Sequence, residues 1–270
     1  MKKYTKLAAR FLALATPAIA SSIFATLPSQ AATFAYSESR FNINDFSSSP
    51  LDVRVLTETL TETISTGGQV TANAKAEAKF NIDANNSASN LSFSQAQGQG
   101  DGYTGSAKSF AAIIGYDFTV DKEFSFDFSG FFKLQTSIDD ALTEGANAYG
   151  ELSYQLYDSD SDELLDSFNI YGNLSTLGNN DAFAFEPSSN ITFDLSKTDK
   201  SFGGTQEYAL ANFKGKYSRT FDKLTHLTLV ESKNNQVNVY TVPEPSTILG
   251  SLLSCTMLGA TLIRKRKRAS

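Results

Sequence analysis

Between Lys122 and Thr136 the chain alternates with a period of two. Phe124, Phe126, Phe128, Gly130, Phe132 and Leu134 share one parity; Ser125, Asp127, Ser129, Phe131, Lys133 and Gln135 share the other. Such a period cannot give a helix a single apolar stripe, but it gives a strand one buried face and one wet face. The segment therefore predicts a half-buried central strand, with Gly130 marking a bulge or a close approach. Val70–Phe80 alternates in the same way: Val70, Ala72, Ala74, Ala76, Ala78 and Phe80 oppose Thr71, Asn73, Lys75, Glu77 and Lys79. Its Ala, Lys and Glu prefer helices, yet the period makes it a strand.

Further strands are expected at 33–46, 53–64, 107–120, 149–157, 163–171, 190–195, 208–220, 224–230 and 236–242. In 53–64 the residues Leu56, Leu60 and Ile64 also recur every four positions, but threonines at 57, 59, 61 and 63 favour a strand. Short strands between polar turns predict an all-β body, an antiparallel β-sandwich of jelly-roll-like type. Loops rich in Ser, Asn and Gly are expected at 85–90, 95–105, 178–181 and 202–206. The stretch 95–105 (QAQGQGDGYTG) should be mobile, and 138–148 (IDDALTEGANA) should form a short helical turn limited by Gly145.

Both ends of the chain differ from this body. Lys2, Lys3, Lys6 and Arg10 precede an apolar run from Phe11 to Ala25, and Ser29-Gln30-Ala31 and Gln30-Ala31-Ala32 satisfy the small-residue rule for signal peptidase. Residues 1–31 thus read as a signal peptide, cleaved after Ala31 or Ala32. At the other end Pro243-Glu244-Pro245 leads into an apolar stretch over 247–263, followed by Arg264, Lys265, Arg266, Lys267 and Arg268. As a helix that stretch covers only ~25 Å, barely enough to cross a bilayer. The basic cluster would stay cytoplasmic, which places everything before Pro243 outside. The order of these three parts closely resembles the PEP-CTERM sorting signal. The resemblance covers residues 243–270 and implies a Gram-negative-type exporter, an exosortase-type protease that cleaves near Pro243-Glu244-Pro245, a cell-surface or extracellular destination, and often an exopolysaccharide system.

The body between these signals, residues 33–242, is long enough for one domain with its own core. The only cysteine, Cys255, lies in the tail, so the body has no disulfide. Nine of the 23 basic residues and one of the 29 acids lie in the terminal segments, which leaves the body a net charge of −14. That charge repels nucleic acid and anionic lipid.

Asp158, Asp160 and Asp162 occupy the first, third and fifth positions of a short acidic run, the spacing by which calcium loops gather carboxylates. The sixth position is Glu163 instead of glycine and the twelfth is Asn169 instead of glutamate, so the alternative is a solvated hairpin turn. Asp139-Asp140 with Glu144, and Asp121 with Glu123, supply paired carboxylates of the kind glycosidases use. His226 is the only histidine, and no Gly-x-Ser-x-Gly elbow accompanies it. Among 21 Phe, 11 Tyr and no Trp, residues Tyr103, Tyr149, Tyr154, Tyr157 and Tyr171 are candidates for stacking on sugar rings. Glycosylation triplets begin at Asn85, Asn90, Asn173 and Asn190.

These features read as an exported surface or matrix protein without enzymatic activity. A calcium-assisted carbohydrate-binding module is the alternative, and an extracellular hydrolase the third reading. The tail makes one expectation checkable. Replacing Pro243-Glu244-Pro245 by alanines should leave a longer, membrane-bound form in the native host, whereas the unmodified mature protein should end near Pro245. Mass spectrometry of surface-extracted protein that still ends in Ser270 would refute this.

Overall fold

The computed structural model describes residues 33–82, 86–176, 178 and 180–241. The signal peptide with Ala31 and Ala32, the whole tail from Pro243 to Arg268, and Asn85 lie outside them. Among the described residues no helix is long and apolar enough to cross a membrane.

Twelve strands are described: β1 (Thr33–Asn44), β2 (Asp52–Ser65), β3 (Gln69–Asn81), β4 (Ser87–Gln99), β5 (Tyr103–Val120), β6 (Glu123–Ser137), β7 (Glu144–Asp158), β8 (Leu164–Ser175), β9 (Ala182–Pro187), β10 (Ile191–Ser201), β11 (Gln206–Thr220) and β12 (Thr225–Thr241). They form two six-stranded sheets, β10-β11-β6-β1-β4-β3 and β2-β5-β12-β7-β8-β9, with antiparallel pairing throughout. The all-β expectation holds, and the sheets pack face to face. At one side β2 of the second sheet passes through Thr66-Gly67-Gly68 into β3 of the first; at the other, β9 passes through Ser188–Asn190 into β10.

Alternation decides which side chains enter the space between the sheets. The Phe124–Leu134 parity of β6 is buried, as is the matching parity of β11, with Ala209, Ala211, Phe213 and Tyr217. Opposite them stand Leu152, Tyr154 and Leu156 of β7 and Phe168, Ile170 and Leu174 of β8. Rings dominate here. Phe126 stacks on Tyr217 at 5.1 Å, and Phe41, Phe128, Tyr154 and Phe168 contact one another at 5.4–6.4 Å between centroids. Gly130 pairs in unbroken register with Phe41 and Phe213, so it is a close approach and not a bulge. A Cβ there would lie 2.2 Å from Phe213 Cζ and 2.8 Å from Arg40 O.

The interior between β1 and β4 on one sheet and β5 and β12 on the other is different in kind. Its inward residues include Ser37, Ser39, Asn90, Ser92, Ser94, Ser109, Glu231, Lys233 and Asn235, all buried. Their polarity accounts for three departures from the sequence reading. The segments 85–90 and 95–105, read as loops, are largely β4 and the start of β5, with only a short turn near Gly100–Gly102. The expected strands 224–230 and 236–242 are one strand, β12, whose middle buries charged and amide groups. Ser92 and Ser94 bond Ser109 across the layers at 2.7 and 3.0 Å, so a polar inward face is satisfied without solvent.

Local hydrogen bonding bears out one smaller expectation and adds a strand. The short helical turn expected in 138–148 is a single turn between β6 and β7, in which Thr143 N and Glu144 N donate to Asp140 O at 3.3 and 2.9 Å, and β7 begins at Glu144. Ala182–Pro187, not anticipated as a strand, pairs with β8 as the short edge β9.

The packing sets a test. Phe126→Ala should cost ~3–5 kcal/mol and Phe126→Asp should abolish folding, because an unpaired carboxylate would enter the ring cluster. Gly130→Ala should cost ~1–3 kcal/mol through overpacking against Phe213. Urea unfolding of the purified protein checks all three, and a tolerated Phe126→Asp would contradict this core.

Candidate functional site

Three of the five tyrosines proposed from sequence project from the outer face of the second sheet. Tyr149 and Tyr157 belong to β7 and Tyr171 to β8, all half-buried at positions whose neighbours point into the core. The register brings Tyr149 opposite Asn173 of β8 and Gln236 of β12, and Glu151 opposite Tyr171 and Asn234. Tyr149 and Tyr171 are thus diagonal neighbours on one face, about 7–8 Å apart by the usual sheet spacing. One residue pair further along, Ser153 stands opposite Asn169 and Ser232.

The two outward tyrosine hydroxyls on β7 are held by their own strand. Tyr149 donates to Glu151 Oε2 at 2.7 Å, and Tyr157 donates to Gln155 Oε1 at 2.7 Å. Burial, then the hydrogen bond to Glu151 and its charge, push the Tyr149 hydroxyl up to about 12, so it remains a donor at neutral pH. The result is a flat surface of oriented rings bordered by amides, hydroxyls and one carboxylate. Such a surface can stack on apolar faces of a ligand and bond its hydroxyl edges. The amides were not recognisable from sequence as partners of the rings, because only the register places Asn173, Asn234 and Gln236 beside them.

The other two tyrosines are structural. Tyr154 lies in the ring cluster, and Tyr103 is buried with its hydroxyl donating to Thr33 Oγ1.

The remaining candidates are scattered. Asp158 Oδ1 accepts from Asp160 N and Ser161 N at 2.9 and 3.1 Å, and Asp162 adopts φ 56° at the end of the hairpin turn. Among the described residues no group of three or more His, Cys, Asp or Glu is placed to hold a metal. Glu144 Oε2 accepts from Asp139 N and Asp140 N, while Glu123 Oε1 accepts from Ser218 Oγ at 2.7 Å. His226 lies on the outer face of β12 opposite Thr119. Asn90 is buried, out of reach of glycosylation once the chain has folded, and the Asn190 amide donates to Asp166.

On the outer face of the first sheet, Tyr36 and Arg40 both donate to Glu38, and Lys133 lies 4.9 Å from the Tyr36 ring. These groups satisfy one another. Toward the end of that face an open depression of about 540 Å³ is lined by Asn44, Asp45, Asp127, Thr192, Lys214 and Lys216, with an exposed Lys214–Asp194 pair at 3.5 Å.

Asp166 forms a fixed node between the sheets. From β8 its carboxylate accepts from Tyr217 at 2.8 Å and Arg219 at 2.9 Å on β11, and from Ser188 and Asn190 in the β9–β10 connection, each at 2.9 Å. Burial opposes its charge, but the hydrogen bonds from Arg219, Asn190, Tyr217 and Ser188 outweigh it and hold the carboxyl below the usual aspartate range.

No family model matches this chain, and neither the curated proteins nor the solved structures give a match.

A carboxyl lowered on folding stabilises the protein above its unfolded value near pH ~4, and the contribution is lost as pH falls through the folded value. Asp166→Ala should therefore cost ~3 kcal/mol at pH 7, when it strands partly buried Arg219, and distinctly less at pH 3. Urea titrations of both proteins at the two pH values measure this. An equal difference at both would contradict the assignment.

Proposed function

We propose that this chain is an exported cell-envelope protein without enzymatic activity, whose β-sandwich body binds an uncharged extracellular polysaccharide on the outer face of β7 and β8. The observation that carries the reading is the diagonal Tyr149–Tyr171 pair bordered by Glu151, Asn173, Asn234 and Gln236. Sugars offer one apolar face and a ring of hydroxyls, which suits oriented rings with amide and carboxylate neighbours. The body's net charge of −14 selects against acidic polymers, so the ligand is a neutral one.

Export and surface delivery enter through the chain ends: a signal peptide over 1–31 and the PEP-CTERM-like tail over 243–270, with signal peptidase and an exosortase-type protease as processing partners. The tail places the body at the membrane only until it is cut. The binding face uses aromatic, amide and carboxylate groups and needs no calcium.

Affinity electrophoresis in gels containing neutral polysaccharides tests the binding. Tyr149→Ala and Tyr171→Ala should each weaken retardation by about tenfold, equivalent to ~1.4 kcal/mol, and the double variant should migrate as in a blank gel. Retardation unchanged in the folded double variant would overturn the site. Loss of binding on addition of a chelator would return the calcium-assisted alternative.

A further inference from the structure

The polar part of the interior contains a grouping that the surface reading does not use. Phe41 of β1 and Asn90 of β4 are register partners, side by side on the inward face of the first sheet. Across the interlayer, Glu231 and Lys233 share the inward face of β12, their side chains 2% and 0% exposed. Lys233 Nζ donates to Glu231 Oε1, and Asn90 Nδ2 donates to Glu231 Oε2. Nζ lies 5.6 Å from the centre of the Phe41 ring. One carboxylate thus holds an amine and a carboxamide on its two oxygens, in a dry site beside an aromatic ring.

Two further observations bear on chemistry. Asn90 Oδ1 is buried and accepts no hydrogen bond among the described residues. Asn90 Nδ2 donates to both Glu231 Oε2 and Ala111 O, so a half-turn of the amide turns Oδ1 to Glu231 at the cost of the bond to Ala111 O. Burial, opposed by the partner charges, also raises the Glu231 carboxyl and lowers the Lys233 amine to about 8. Moving one proton from Lys233 to Glu231 leaves a neutral amine beside a neutral acid, and removes two charges from the interior without changing their sum. A neutral amine is a nucleophile, and a neutral carboxyl can donate to a carbonyl oxygen.

We propose that Lys233 Nζ and Asn90 Cγ condense into an isopeptide bond that joins the two sheets through the core, with Glu231 as the proton-transfer group. The Nζ lone pair attacks Cγ while the carbonyl electrons move to Oδ1, which takes the Glu231 proton. The Glu231 carboxylate then removes a proton from Nζ and passes it to Nδ2. The Cγ–Nδ2 bond breaks, ammonia leaves, the carbonyl re-forms, and the Oδ1 proton returns to Glu231. One amide replaces another and no oxidant or reductant is consumed. Holding the reactants in a folded core supplies the orientation that free amines and amides lack in water. The bond would tie β4 to β12, in a body without cysteine, and it is independent of any ligand on the outer face.

The full chain, folded, then denatured and digested with trypsin, provides the test by mass spectrometry. The expected product is a branched peptide joining the Asn90 and Lys233 segments, lighter than their sum by one ammonia and uncleaved after Lys233. Recovery of the Asn90 peptide in linear form together with cleavage after Lys233 overturns the proposal, whatever any variant does. Lys233→Met and Asn90→Ala remove the reacting groups and should yield only linear peptides. Glu231→Gln keeps the shape but cannot shuttle the proton, and should give a folded chain, by circular dichroism, without the bond. A folded Glu231→Gln chain that still carries the branched peptide overturns the role of Glu231.

Discussion

Polar groups sealed between two sheets can bond only to each other, and that restriction fixes how β1, β4, β5 and β12 face one another. Asn235 accepts from Ser39 at 3.0 Å and donates to Ser92 O at 2.8 Å, while Ser94 donates to Asn235 O at 3.1 Å. A slip of β4 by one residue would replace Asn90, Ser92 and Ser94 by Leu91, Phe93 and Gln95 and leave each partner unsatisfied. The ring cluster around Phe126 forbids the same slip in β6, which would turn Asp127 and Lys133 inward and move Gly130 from beneath Phe213. Both regions of the interior therefore hold the register, one by apolar parity and the other by hydrogen bonds.

The boundary between the two regions runs through Phe41. Its ring touches Phe128, Tyr154, Phe168 and Phe213 on one side and lies near the Lys233 amine on the other. A lysine over a ring face of the core retains some compensation for lost water, because the face of an aromatic ring attracts cations. Even so, burial acts against both Lys233 and Glu231, and a well-packed apolar pair would usually be at least as stable. Reactivity offers a reason for such a pair that stability alone does not. Asp166, at the opposite side of the sandwich, shows the contrasting arrangement: its carboxylate has four donors, one of them a partly exposed arginine.

Strands with a large apolar parity were legible in the sequence. β3 and β6 alternate without interruption, and the expected ranges lie within a residue or two of those observed. β4 was not legible because its inward parity reads Ala88, Asn90, Ser92, Ser94, Ala96 and Gly98, which resembles a loop to any measure of hydrophobicity. β12 was divided in two for the same reason: Glu231, Lys233 and Asn235 occupy inward positions where an apolar residue was expected. The places where the pattern failed are the places where the interior is polar. The surface site shows the complementary case. Its tyrosines stood out by type, but their grouping depends on pairing between β7 and β8, and Tyr103 and Tyr154 carry the same side chain into the interior.

The position of β12 bears on the proposed delivery through the C-terminus. β12 is hydrogen-bonded on both edges, to β5 and β7, and it ends at Thr241, just before the Pro243-Glu244-Pro245 segment. Any pull transmitted from a tail held in a membrane therefore enters the body along this strand. The load falls first on its backbone ladder, directed along the strand, where many bonds must break together. Hydrogen bonds resist such shear only for as long as they remain cooperative, whereas a covalent link from Lys233 to the opposite sheet would pass the load to β4 and the first sheet. Tyr149 and its neighbours sit on β7, one strand away, so a polymer bound there would draw on the same ladder from the other side. Under the proposed function, a central strand loaded from tail and ligand alike would have more use for a bond through the core than an edge strand such as β2 or β9.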